Sequence, residues 1–81
     1  MQDSVRETVF RIVSNIMHYP IEKVGEDTSP DTVPIWDSLR HMNLVLALEE
    51  ELNVEFTETQ IVEMNSVGLI LAIVDEASVR R

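Results

Sequence analysis

Between residues 38 and 52 the chain reads Ser-Leu-Arg-His-Met-Asn-Leu-Val-Leu-Ala-Leu-Glu-Glu-Glu-Leu. Leu, Ala, Met, Glu and Arg dominate this run and all favour helix, and Asp37 stands just ahead of it as a capping residue. Wound at about 100° per residue, Arg40, Asn43, Ala47, Glu50 and Glu51 gather into one polar stripe. Leu39, Met42, Leu44, Val45, Leu46, Leu48 and Leu52 fill an arc of roughly 220°, against the ~100° stripe of an ordinary surface helix. Such a helix does more than cover one core face. Part of its arc is expected to touch a partner, a ligand or a second packing layer.

The flanking segments continue the helical theme. Val5, Val9, Ile12, Val13 and Ile16 recur at i, i+4, i+7, i+8 and i+11, and Phe10 and Met17 widen the stripe. Ser4-Val5-Arg6-Glu7 fits a capping box and places the start of this helix near residue 4. Pro20 ends it, because the residues before a proline are pushed out of the helical region. From His18 to Asp37 no period is visible, and Pro20, Gly25, Pro30 and Pro34 punctuate the stretch. So long a loop in a small chain is usually functional or pinned down; Ile21, Val24, Val33 and Ile35 are its candidate pins to the core. Thr57-Glu58-Thr59-Gln60 is a second capping box, opening a short helix with Ile61, Val62 and Met64. Asn65 or Ser66 caps a last helix carrying Val67, Ile70, Leu71, Val74 and Ala77, with Arg80 and Arg81 at its negative end. No segment alternates like a strand. The expected fold is all-α: a small four-helix bundle of three main helices and one short helix, with a long loop between the first two, forming a single domain over residues 1–81.

Charge narrows the partners. Fifteen Asp and Glu against six Lys and Arg leave a net charge of −9. Six scattered cations cannot neutralise a row of phosphates or hold an anionic membrane, so nucleic acid and membrane insertion are both disfavoured. The longest apolar stretch, Val67 to Val74, is far too short to span a bilayer. The first residues lack the basic-then-apolar pattern of a secretory signal, so a cytoplasmic monomer with basic protein partners is expected. With no cysteine, there is neither a disulfide framework nor a thiolate metal site.

Catalytic and metal motifs fail on inspection. A calcium loop counted from Asp27 has Thr32 at its glycine position, Ser38 at its glutamate position and Pro30 inside. Asp37, Ser38 and His41 share a helical turn, but a hydrolase triad needs its His between the other two, and no G-x-S-x-G elbow is present. His18 and His41 lack metal-ligand spacing and read as surface or partly packed residues. No catalytic residue and no metal ligand is assigned, and the chain is not expected to be an enzyme. Ser38 poses a different question. At the first turn of the strongest helix its hydroxyl is expected to be exposed, and a phosphate carried there would meet free backbone N–H groups and the helix dipole. The alternative is a serine that merely starts the helix.

Asp37-Ser38-Leu39 followed by Leu44-Val45-Leu46-Ala47-Leu48-Glu49-Glu50-Glu51-Leu52 resembles the attachment motif and second helix of acyl carrier proteins. Asn53 to Phe56 and Thr57 to Gln60 extend the likeness into the short third helix; length, acidity and the long first loop agree over nearly the whole chain. The resemblance implies that Ser38 carries 4′-phosphopantetheine as a phosphodiester, transferred from coenzyme A by a separate phosphopantetheinyl transferase. The thiol of that arm would hold acyl groups as thioesters, which suits a chain that supplies no thiol of its own. It further implies that Asp37, Leu39, Arg40, Met42, Glu49 and Glu50 meet partner enzymes through basic docking patches, and that Met42, Leu46, Ile61 and Met64 line an acyl chain.

The chain departs from the fatty-acid pattern on both sides of the motif: Ile35-Trp36 replaces Gly-Ala before it, and Arg40-His41 replaces an acidic residue after it. That points to a specialised stand-alone carrier in a polyketide, fatty-acid or modified-lipid pathway. Two alternatives stand beside it: a carrier of aminoacyl groups such as D-alanine or a peptidyl group, and a helical adaptor whose apolar arc docks a partner helix.

Overall fold

The computed structural model describes residues 3–79. Four α-helices follow in order: α1 (Asp3–Met17), α2 (Ser38–Leu52), α3 (Glu58–Glu63) and α4 (Val67–Val79), with one 3₁₀ turn at Ile21–Lys23 inside the long connection. Among the described residues there is no strand. The expected all-α arrangement of three main helices and one short one is therefore observed, the 3₁₀ turn being the one element the aperiodic loop did not announce. The final arginines, Arg80 and Arg81, lie outside the described residues.

Each helix end is closed by the chemistry its sequence carries. His18 and Asn53 take left-handed backbone angles, φ 52° and 55°, after α1 and α2. The next amides then turn back, Tyr19 N–H to the Ser14 carbonyl and Val54 N–H to that of Glu49, closing each helix in a Schellman-type turn. Asp37 accepts from the Arg40 N–H at 2.9 Å and so caps α2. Thr57 and Gln60 form the full reciprocal capping box at α3. At α4 the choice between two caps falls on Ser66, whose Oγ accepts from the Leu69 N–H at 3.1 Å.

The core takes the apolar face of every element. Val9, Ile12, Val13 and Met17 from α1 meet Leu44, Val45 and Leu48 from α2 and Val67, Ile70, Leu71 and Val74 from α4, with Met64 closing the space after α3. At six residues α3 is too short to hold itself as a helix. It is fixed by its neighbours, including the bond from Gln60 Nε2 to Glu76 Oε1 at 2.9 Å.

The long connection is pinned, though not by all the residues expected. Val24 and Val33 are buried, but Ile21 and Ile35 are 48% and 40% exposed, and Trp36 fills the place expected of Ile35. In a segment without a period, apolar character alone does not say which side chain faces inward, and the broad indole wins the core site beside α2. The loop is also stitched to α4. The free N–H groups of Val67 and Gly68, in the first turn of α4, donate to the carbonyls of Thr28 at 2.9 Å and Glu26 at 3.0 Å. Thr28 itself is buried, its Oγ1 accepting the Gly25 N–H.

Candidate functional site

Ser38 is the first residue of α2, immediately after the Asp37 cap. Its side chain is exposed, and its hydroxyl has no hydrogen-bond partner among the described residues. The approach to it is set by the loop: Val33 is buried, the Trp36 N–H returns to the Val33 carbonyl, and the Asp37 N–H returns to that of Ile35. Asp37 Oδ1 takes the Arg40 amide and Asp37 O takes the His41 amide, leaving the N–H groups of Ser38 and Leu39 free at the positive end of the helix.

Beside Ser38 lies a cleft of about 440 Å³, lined by Pro30, Trp36, Asp37, Ser38, His41, Met42, Ile61, Val62 and Asn65. It sits where α2, α3 and the end of the long loop meet. Of the four residues expected along an acyl chain, Met42 and Ile61 line this cleft. Leu46 lies on the outer surface of α2, 58% exposed, and Met64 is fully buried in the core. The alternation explains the split: Leu44, Val45 and Leu48 turn inward, while Leu39 (71% exposed), Met42 (42%) and Leu46 turn outward. The excess apolar arc of α2 is thus divided between the core and the surface.

The residues expected to meet partners divide as well. Asp37, Leu39, Met42 and Glu50 are exposed. Arg40 is half-buried, with its guanidinium donating to the Ile16 carbonyl at 2.7 Å, so it fastens α2 to the end of α1. Glu49 is half-buried too, and its Oε2 accepts the Phe56 N–H at 3.0 Å, ordering the turn that leads into α3. Glu51 reaches α1 in an ion pair with Arg11 at 3.1 Å.

His41 is the residue whose position the sequence understated. Its Nδ1 lies 3.0 Å from Nε1 of Trp36 and its Nε2 lies 2.8 Å from the Ile61 carbonyl, so it ties the loop to α2 and α2 to α3. The two ring planes lie 28° apart with their centroids 6.2 Å apart. The available signal was a tryptophan with a polar N–H five residues before a histidine able to accept it.

Neither a comparison with known protein families nor one with curated proteins finds a match. Among solved structures, the chain resembles the holo acyl carrier protein from Geobacter metallireducens, at 25% sequence identity and a TM-score of 0.82. The match covers 94% of this chain and 87% of that one. The likeness read from Asp37-Ser38-Leu39 and its helix therefore extends across the whole architecture: the chain has the acyl carrier protein fold.

Proposed function

We propose that this chain is an acyl carrier, with Ser38 as the attachment point of 4′-phosphopantetheine. The observation that carries this reading is the exposed, unpartnered hydroxyl of Ser38 at the first turn of α2 in a chain of acyl carrier protein fold. The residues fit the group. The free N–H groups of Ser38 and Leu39 favour a phosphodiester at this position, and the cleft along Trp36, Met42 and Ile61 gives an arm an apolar surface to lie against. Once attached, the arm supplies the thiol that holds an acyl group as a thioester.

Attachment needs a separate transferase. The Ser38 oxygen forms a bond to the phosphorus that bears pantetheine, the pyrophosphate bond of coenzyme A breaks, and adenosine 3′,5′-bisphosphate departs while the hydroxyl proton passes to the transferase. The chain itself catalyses nothing: it presents Ser38 and is recognised. Leu39 and Met42 offer exposed apolar contact beside Ser38, and Asp37 and Glu50 add negative charge that steers basic docking patches. Arg40 and His41, in place of acidic residues, suit a specialised carrier in polyketide, fatty-acid or modified-lipid synthesis rather than recognition by the standard fatty-acid enzymes.

Intact mass after incubation with coenzyme A, Mg²⁺ and a broad-specificity phosphopantetheinyl transferase tests the reading. A gain of one phosphopantetheine, absent from Ser38→Ala, is expected. A folded chain that takes none from several transferases would favour a non-carrier adaptor instead.

A further inference from the structure

The start of α2 is held by bonds that pass around the Ser38 side chain and leave it out. Asp37 is the cap and Ser38 the first helical residue, so Trp36 stands one place before the cap and His41 is the fourth residue of the helix. In many helices apolar side chains at these two places meet and fix the angle at which the chain enters. Here the pair is joined by a hydrogen bond as well: the indole N–H of Trp36 donates to Nδ1 of His41 at 3.0 Å. Within the span it closes, Asp37 Oδ1 accepts the Arg40 N–H at 2.9 Å and the Asp37 carbonyl accepts the His41 N–H at 2.8 Å. Asp37 and Ser38 are both exposed, and no group bonds the Ser38 hydroxyl among the described residues. The place of that hydroxyl is therefore set by backbone that its neighbours hold.

The two ends of this bridge are anchored differently. Trp36 is 6% exposed and packs into the core, and its backbone N–H returns to the Val33 carbonyl. His41 is half-buried and stands three residues after Ser38, so the two share a face of α2 and both line the cleft. The Asp37 cap orders the helix side of the junction, and the Trp36–His41 bond ties that side to the loop. We propose that Trp36 and His41 are positioning residues for the transfer of phosphopantetheine to Ser38: their bond holds the Ser38 backbone in its helical place before the transferase arrives. The Ser38 oxygen then meets the phosphorus of coenzyme A without a prior ordering step, and binding is not weakened by chains whose junction is loose. The inference rests on the carrier reading above and deepens it.

In the unmodified protein, ¹⁵N relaxation tests the bridge without any transferase. The Ser38 and Leu39 amides are expected at the rigid backbone order parameter of about 0.85. In His41→Leu and in Trp36→Phe they are expected to fall below about 0.7 while the middle of α2 stays rigid. His41→Asn, whose Oδ1 can stand where Nδ1 stands, is expected to return them to the wild-type value. Kinetics of modification by a phosphopantetheinyl transferase then test the consequence, at a temperature where circular dichroism shows each variant folded. Both single variants are expected to raise KM for the carrier at least about threefold and to leave kcat within about twofold, because a smaller competent fraction weakens apparent binding without altering the bound complex. A variant that is merely less stable, yet folded, would move neither constant. The indole presents almost nothing to a transferase, so Trp36→Phe separates positioning from direct contact. The double variant is expected to be no worse than either single one, since both remove the same bond. Unchanged order parameters in both single variants, an unchanged KM, or additive losses in the double variant overturn the proposal. A chain that takes no arm at all overturns the carrier reading and the role in transfer with it, while the relaxation measurement still decides whether the bridge orders Ser38.

Discussion

The indole Nε1 of Trp36 and Nδ1 of His41 lie 3.0 Å apart, and this single bond assigns the tautomer of the histidine and the direction of its second bond, to α3. Replacing the donor alone should expose its worth. Trp36→Phe keeps an aromatic ring in the core but leaves Nδ1 without a partner, with an expected loss of about 1–3 kcal/mol in urea unfolding. Long-range ¹H–¹⁵N spectra should show His41 as the Nε2–H tautomer in the wild type. A ring in the opposite tautomer would contradict the geometry.

Asp37 combines a cap with a charge, and two substitutions separate them. Asp37→Asn retains the oxygen that accepts the Arg40 N–H and should leave the melting temperature nearly unchanged. Asp37→Ala loses the cap, at an expected cost of about 1 kcal/mol. If the charge steers the transferase, both variants should be modified more slowly at low salt, and the difference should fade as salt is added.

Two leucines on α2 provide a direct comparison. Leu48 is fully buried and Leu46 is mostly exposed, two residues apart on the same helix. Leu48→Ala is expected to cost about 2–5 kcal/mol, and Leu46→Ala under about 0.5 kcal/mol. Equal losses would mean that the outer apolar surface of α2 is covered in solution.

The neighbouring glutamates should likewise behave differently. Glu50→Lys changes only an exposed charge, so it should slow transferase modification at low salt without altering stability. Glu49→Lys also removes the acceptor of the Phe56 N–H, and should lower stability by about 1–3 kcal/mol besides. Thermal unfolding alongside modification rates distinguishes the two effects.

What was legible in the sequence was whatever repeats. The stripes of α1 and α2, the capping box at Thr57 and the stop before Pro20 all appear where the spacing put them, because a helix imposes its period on the side chains that must be buried. The aperiodic loop offered no such rule. Ile21 and Ile35 were as apolar as Val24 and Val33, yet only the valines are buried. His41 illustrates the same boundary at the site: its spacing to Trp36 was visible, but the bond to Ile61 depends on how α3 packs, which neither segment encodes alone. Glu49 and Arg40 looked like surface charge until the backbone groups they serve were brought to them by the fold.

The stitching of Thr28 and Glu26 to the first amides of α4 has a consequence for how the protein is made. Those bonds join the loop to the final helix, so they form only after the intervening α2 and α3 have been synthesised and the chain has closed a long-range contact, the slow kind of step in folding. Until then the middle of the loop has only its own turns to hold it, whereas the approach to Ser38 is set by the Trp36–Val33 and Asp37–Ile35 turns. A chain whose α4 has not yet docked can still form the turns that lead into Ser38 and the Asp37 cap, because these join close neighbours in sequence. The last helix, remote in sequence, thus settles the middle of the loop, while the setting of the serine is made by its own neighbours.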